Sequence, residues 1–310
     1  MATKHLGVHS IDHFSLTVPD VEKARHFYTH FGLDVRDAEN GIDLHTFGAN
    51  HRWGAIRRGE KKRLQYVSLL AYPDDMQSFR LHFERLGIKT VDAPPNASVG
   101  SGGIWIATPE GLPIHIVPGA KNTPDVRKAN APVKRHSIER GSPVRGTTPP
   151  TRPERLGHIL LFTADLDGSI EFFAKVLGLR LSDRSGGVAF MHGAHGSDHH
   201  LLAFATSNGY GMHHSAWTVG SIDEIGLGSQ RMSENGYSRG WGLGRHVLGS
   251  NYFRYIRDPW GSYAEYSFDI DHVPAEAAWE VWSPPPENSL YIWGPDVPED
   301  FITNYETSEP

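Results

Sequence analysis

The sequence predicts an α+β fold assembled from a duplicated module, and three observations carry that prediction. Residues 11–35, IDHFSLTVPDVEKARHFYTHFGLDV, reappear in altered form as residues 156–181, LGHILLFTADLDGSIEFFAKVLGLRL. Two later matches follow in the same order: RLQYVSL (63–69) with GMHHSAW (211–217), and TPEGLPIHIV (108–117) with DPWGSYAEYS (258–267). The separation between matched residues creeps upward along the chain, from the His13/His158 pair to the His115/Glu265 pair. A duplication followed by small loop insertions produces that pattern.

Each copy opens with an alternating strand, then a turn in which Asp20 or Asp165 stands near a helix start. An amphipathic helix follows, ending at Gly32 or Gly178, and a new strand begins. Hairpins come next, then a second helix near 74–86 in the first copy and near 221–235 in the second. The expected organisation is an N-terminal domain at 1–120, a linker at 121–154, a second domain at 155–271 and a tail at 272–310. The linker is rich in Pro, Lys and Arg with little apolar periodicity, as expected of chain draped over a surface. A basic nucleic-acid arm is the alternative reading. The tail holds Trp279, Trp282, Trp293 and Tyr291 with the run Pro284-Pro285-Pro286, and so aromatic a segment is expected to pack on the body.

Composition narrows the function classes. With 310 residues, 38% hydrophobic and 21% charged, the chain reads as a soluble globular protein of about two domains. A net charge of -6 gives no electrostatic reason to expect nucleic acid as a partner. No apolar run approaches the ~20 residues of a membrane span, and MATKHLGVHSIDH lacks the apolar core of a secretory signal. A cytoplasmic protein is expected. The chain has no cysteine, so a metal would have to sit on nitrogen and oxygen ligands.

Six residues of the second copy carry chemistry. His158, His200, His214, His246, Tyr255 and Glu265 each fall in a stretch that reads as a strand or its end. Two imidazoles and one carboxylate are the ligand set of a non-heme Fe(II) site that keeps coordination positions open. The remaining imidazoles and the phenol suit proton transfer and substrate orientation. Strand alternation turns His213 and His214 to opposite faces, so only one of them can reach the centre. The same argument makes His199 and His200 exclusive rivals. The first copy has His13, Tyr66 and His115 where the second has His158, His214 and Glu265. Without the carboxylate and one imidazole, that half is expected to be free of metal.

The stretch GLGRHVLGSNYFRYIRDPWGSYAEY, residues 242–266, resembles the signature of the type I extradiol catechol dioxygenases of the vicinal oxygen chelate superfamily. The Gly-x-His, the Tyr nine residues later, the Asp-Pro-x-Gly turn and the following Glu carry the likeness, which extends over residues 8–271. The resemblance implies repeated βαβββ modules forming two barrel-like domains, with metal only in the C-terminal one. It selects His158, His214 and Glu265 as ligands of Fe(II), with Mn(II) as the alternative ion. It also selects His200 as the acid/base group and His246 with Tyr255 as the pair that hydrogen-bonds substrate oxygens. The implied reaction opens a catechol-type ring with O2 to a 2-hydroxymuconic semialdehyde-type product, in a homo-oligomer. Arg254 departs from the family, which usually has an apolar residue before this tyrosine. Trp241 is expected near the substrate rim, making that rim apolar. The alternatives are a 4-hydroxyphenylpyruvate dioxygenase-like enzyme, which also uses two histidines and a glutamate, and a non-enzymatic small-molecule-binding module.

Overall fold

The computed structural model describes residues 5–95, 97, 102–127, 138, 142 and 144–307. The N-terminal half runs β1 (Ser10–Val18), α1 (Val21–Phe31), β2 (Asp34–Ala38), β3 (Gly41–His45), β4 (Arg52–Arg58), β5 (Arg63–Ala71), α2 (Met76–Leu86), β6 (Ile104–Ala107) and β7 (Pro113–Pro118). The second half runs β8 (Arg155–Thr163), α3 (Leu166–Leu177), β9 (Leu179–Ser185), β10 (Val188–Gly193), β11 (Ser197–Asp198), β12 (Leu202–Thr206) and β13 (Gly211–Thr218). It continues through α4 (Ile222–Glu234), β14 (Gly240–His246), β15 (Tyr252–Arg257), β16 (Tyr263–Phe268), β17 (His272–Val273) and β18 (Tyr291–Trp293).

Each half forms one mixed sheet, in the orders β2-β3-β4-β1-β5-β7-β6 and β18-β14-β15-β16-β13-β8-β12-β10-β9. Both therefore read as βαβββ units set side by side, the fold class the repeat predicts. The halves differ at one edge. Where β14 lies in the second half, the first has only an isolated bridge between Thr90 and Ile106 among the described residues.

Local signals explain the matching helices. Asp20 accepts a hydrogen bond from the Lys23 amide, and Asp165 does the same for Gly168, satisfying donors that the first helical turn leaves free. Gly32 and Gly178 end the helices in the left-handed conformation that glycine adopts at least cost. Both also admit the other half of the chain. A Cβ at Gly32 would lie 2.4 Å from the Thr151 carbonyl oxygen, and one at Gly178 would lie 2.3 Å from that of Leu6.

The main core joins the two halves. Phe31, at the end of α1, stacks on Tyr266 of β16 at 4.0 Å between ring centres, and the Tyr266 hydroxyl donates to the Phe31 carbonyl. The near ends of the expected linker are fixed as well. Thr123 donates to the His9 carbonyl, and Thr151 donates to that of Glu224. The basic middle of that segment, 128–137, lies outside the described residues. The tail packs on the body: β18 pairs with β14 through Arg245↔Trp293 and His246↔Tyr291.

Near its end the tail inserts Glu306 between the halves. Its carboxylate pairs with buried Lys62 and accepts from the amides of Leu64 and Met212. Lys62 also donates to the Ser262 hydroxyl at 2.6 Å. A buried pair of this kind gains little over apolar neighbours, but breaking it strands a charge. Glu306→Ala should cost about 3–5 kcal/mol, read as a lowered urea midpoint or Tm. Lys62→Met with Glu306→Leu should recover most of that loss. A single variant as stable as the wild type would contradict the assignment.

Candidate metal centre

Three adjacent strands bring the donors together. β8 supplies His158, β13 supplies His214 and β16 supplies Glu265, with Ala216 opposite both His158 and Glu265 in the ladders. One ligand atom from each lies within 4.8 Å of the others, and all three residues are buried. His158 Nε2 and His214 Nε2 each lie 3.3 Å from Glu265 Oε2. Yet His214 Nε2 and Glu265 Oε2 have no hydrogen-bond partner. Buried polar atoms are rarely left so, and a carboxylate with no exposure needs a compensating cation. The donor set and its unsatisfied atoms fit a divalent ion of intermediate hardness such as Fe(II) or Mn(II).

The expectation that His213 and His214 face opposite sides is overturned. β13 carries a β-bulge against β8: Met212 pairs with Leu161 and His214 with Leu160, leaving His213 as the extra residue. A bulge breaks strict alternation, so both imidazoles line the same cavity. They form a relay. His213 Nε2–H donates to the Phe301 carbonyl at 2.7 Å, so its Nδ1 is the acceptor for His214 Nδ1–H, also at 2.7 Å. That leaves the His214 Nε2 lone pair directed at the donor cluster, the arrangement a metal-binding imidazole needs.

A parallel relay separates His199 from His200, and His200 alone of the two faces the site, although not by strand alternation. They lie in a bend between β11 and β12, where strand alternation does not apply. His199 Nε2–H donates to Asp183 at 2.7 Å, and His199 Nδ1 accepts from His200 Nδ1–H at 3.0 Å. The network thus assigns the free lone pair of His200 to Nε2. The His200 ring is 4.0 Å from that of His158 and lines the cavity, which His199 does not. Burial pushes the His200 pKa well below the usual histidine value, and the neighbouring imidazoles add to the shift.

His246 and Tyr255 complete the wall. His246 Nδ1–H donates to the Leu290 carbonyl at 2.7 Å, and its Nε2 lies 3.0 Å from the Tyr255 hydroxyl. Burial, then the charge of Glu265, pushes the Tyr255 pKa well above its usual range, so the phenol stays a donor. Arg254 points outward to Ser229 on α4 and to the Ser238 and Gly242 carbonyls. Its departure from the family's apolar choice concerns packing against that helix. Trp241 is not at the rim. It is buried beneath the tail, with its indole N–H on the Pro295 carbonyl and its ring 5.0 Å from Phe301.

Three contributors escape sequence reasoning. Asp183 anchors the His200 relay, Phe301 anchors that of His214, and Asn251 donates to Glu265 Oε1 at 3.0 Å. Each acts through contacts made far along the chain, which no local pattern announces. The N-terminal counterparts are hydrogen-bonded within their own half: His13 to Asp12 and Tyr66, and His115 to Ser68 and the Gly102 carbonyl.

Burial pushes His9, His192 and His213 down to about 4. Folded, they stay neutral until that pH, whereas the unfolded chain protonates them below about 6.5. Unfolding therefore takes up protons in the window between, and stability falls as pH falls through it. With about 1.4 kcal/mol per proton per pH unit, three such groups give a slope of up to about 4 kcal/mol per unit. The urea midpoint of metal-free protein should be level above pH 7 and drop steeply towards pH 5. A flat profile across that range would refute the buried neutral histidines.

Residues 10–116 and 155–266 each match the Glyoxalase/Bleomycin resistance protein/Dioxygenase superfamily. Metapyrocatechase 2 of Cupriavidus necator is 43% identical to the chain over 302 residues, covering 97% of this chain and 93% of that protein. Biphenyl-2,3-diol 1,2-dioxygenase of Metapseudomonas furukawaii is 27% identical, covering 93% and 94%. Among solved structures, the Mn(II)-bound glyoxalase of Novosphingobium aromaticivorans superposes with a TM-score of 0.75 at 25% identity, covering 94% of this chain and 93% of that one. Both halves match one family and the likeness to its ring dioxygenases spans nearly the full chain, so this protein belongs to the Glyoxalase/Bleomycin resistance protein/Dioxygenase superfamily.

Proposed function

We propose that the chain is an extradiol dioxygenase. It opens a catechol-type ring at the bond beside the diol, and both atoms of O2 enter a 2-hydroxymuconic semialdehyde-type product. The observation that carries this reading is the unsatisfied His158–His214–Glu265 donor set, which opens into a cavity faced by His200, His246 and Tyr255. The extensive likeness to Metapyrocatechase 2 supports it. Fe(II) is the proposed ion, held by His158, His214 and Glu265; bound there it would supply Lewis acidity and electron exchange between ring and oxygen.

The protein's own groups position the diol and manage protons. Glu265 supplies the anion of the donor set, and Asn251 holds one of its oxygens. Neutral His200 presents its Nε2 lone pair to the cavity, suited to take a diol proton and return it later. Tyr255 and His246 give a hydrogen-bonding edge for substrate oxygens. Phe301 and Leu290 of the tail wall off the site and thereby limit water access. A glyoxalase-type isomerase would draw ligands from both halves, and His13, Tyr66 and His115, which match the donor set in sequence, are instead hydrogen-bonded within the first half.

Among the described residues no helix is long and apolar enough to cross a membrane, and a cytoplasmic location is proposed. The exposed Trp282, Ile292 and Trp293 on the tail support a homo-oligomer.

Two tests follow. Fe(II) or Mn(II) at about 100 times its Kd should stabilise the folded chain by about 2.7 kcal/mol, seen as a rise in Tm, and Glu265→Ala should abolish the rise. An equal rise in that variant would rule out Glu265 as a ligand. His200→Asn should retain the metal and lose roughly 10²–10⁴ in kcat, followed by oxygen uptake and yellow product with catechol. Unimpaired turnover would remove His200 from the chemistry. Oxygen uptake absent with every catechol, despite bound metal, would overturn ring cleavage itself.

A further inference from the structure

The cavity above the donor set encloses about 420 Å3, room for roughly fourteen waters at about 30 Å3 each. Catechol, with six carbons and two oxygens, leaves well over half of that volume unfilled. Both walls of the remainder are apolar. The inner face of the second sheet offers Leu160, Val188 and Phe190, and the facing tail offers Pro298, Phe301 and Ile302. No Lys or Arg lines the cavity among the described residues. The acidic side chain that lines it is Glu299, exposed on the tail.

These walls reward one kind of ring substituent and penalise another. An apolar arm replaces water against apolar surface and gains from its own burial. An anionic arm would lose its hydration with no cation to replace it, beside the carboxylate of Glu299. We propose that the substrates of this chain are catechols bearing an uncharged apolar arm, an alkyl chain or an aryl ring. The 284–302 segment of the tail, beyond the family-matched residues, is the wall that enforces the choice. This inference rests on the ring-cleavage reading.

The test compares catechol, 3,4-dihydroxyphenylacetate and its uncharged isostere 4-isobutylcatechol on Fe(II)-loaded enzyme. Both kcat/KM and anaerobic Kd are measured. The isobutyl compound should exceed the carboxylate by at least about tenfold in kcat/KM and in affinity. Glu299→Lys, a change at an exposed side chain, should narrow that gap by about threefold or more. Equal or reversed preference, with catechol still cleaved, would overturn the inference and leave ring cleavage standing. A ratio unmoved by Glu299→Lys would overturn it in the same way. No oxygen uptake with any of the three, metal bound, would overturn both.

Discussion

A carboxylate with no solvent exposure, set against two imidazoles, is the constraint around which the second half is arranged. Glu265 sits on β16 in the interior of a nine-stranded sheet, and water cannot reach it. Burying that charge is costly unless a cation shares the site. His214 cannot take that part cheaply, because protonating it would bury a second charge, and burial holds its pKa well below the usual value. A divalent ion resolves the conflict. The parallel pairing of β13 and β16 and the antiparallel pairing of β13 and β8 are what hold the three donors near enough to share one.

Around the donor set the protein repeats one device. Three imidazoles spend their second nitrogen on a partner away from the donor set: His214 on His213, His200 on His199, His246 on the Leu290 carbonyl. The ring is thereby fixed in orientation and in tautomer, with Nε2 toward the cavity. Two of these chains end on backbone carbonyls of the tail, Phe301 and Leu290. The tail therefore belongs to the working site as well as to the fold, although it lies outside the repeated modules.

How much of this is legible in the sequence depends on whether the governing interactions are local. The helix starts at Asp20 and Asp165, the glycine ends at Gly32 and Gly178 and the repeat itself are short-range patterns, and the structure keeps each of them at those residues. Five of the six site residues meet because β14, β15, β16, β13 and β8, which carry them, are successive neighbours in one sheet, and His200 joins them from the bend before β12. Alternation fails at His213, where a bulge inserts one residue, and at His199, which lies in a bend; neither feature has a sequence mark. Trp241 departs from its expected place because its partner, the Pro295 carbonyl, lies 54 positions on. Asp183, Asn251 and Phe301 are invisible to local patterns for the same reason.

The bulge at His213 has a twin. Against β1, strand β5 carries an extra residue at Gln65, and β1 itself carries one at Asp12 where β8 has Gly157. Irregularities shared at matching places are inherited from the unit that was duplicated. The N-terminal half thus keeps the backbone mould of a metal cradle, with His13 in the place of His158. At the other two matched positions Tyr66 stands for His214 and His115 for Glu265. The two halves thus differ here in side chains more than in strand irregularities, and the first offers a ready-shaped backbone into which a second centre could be cast.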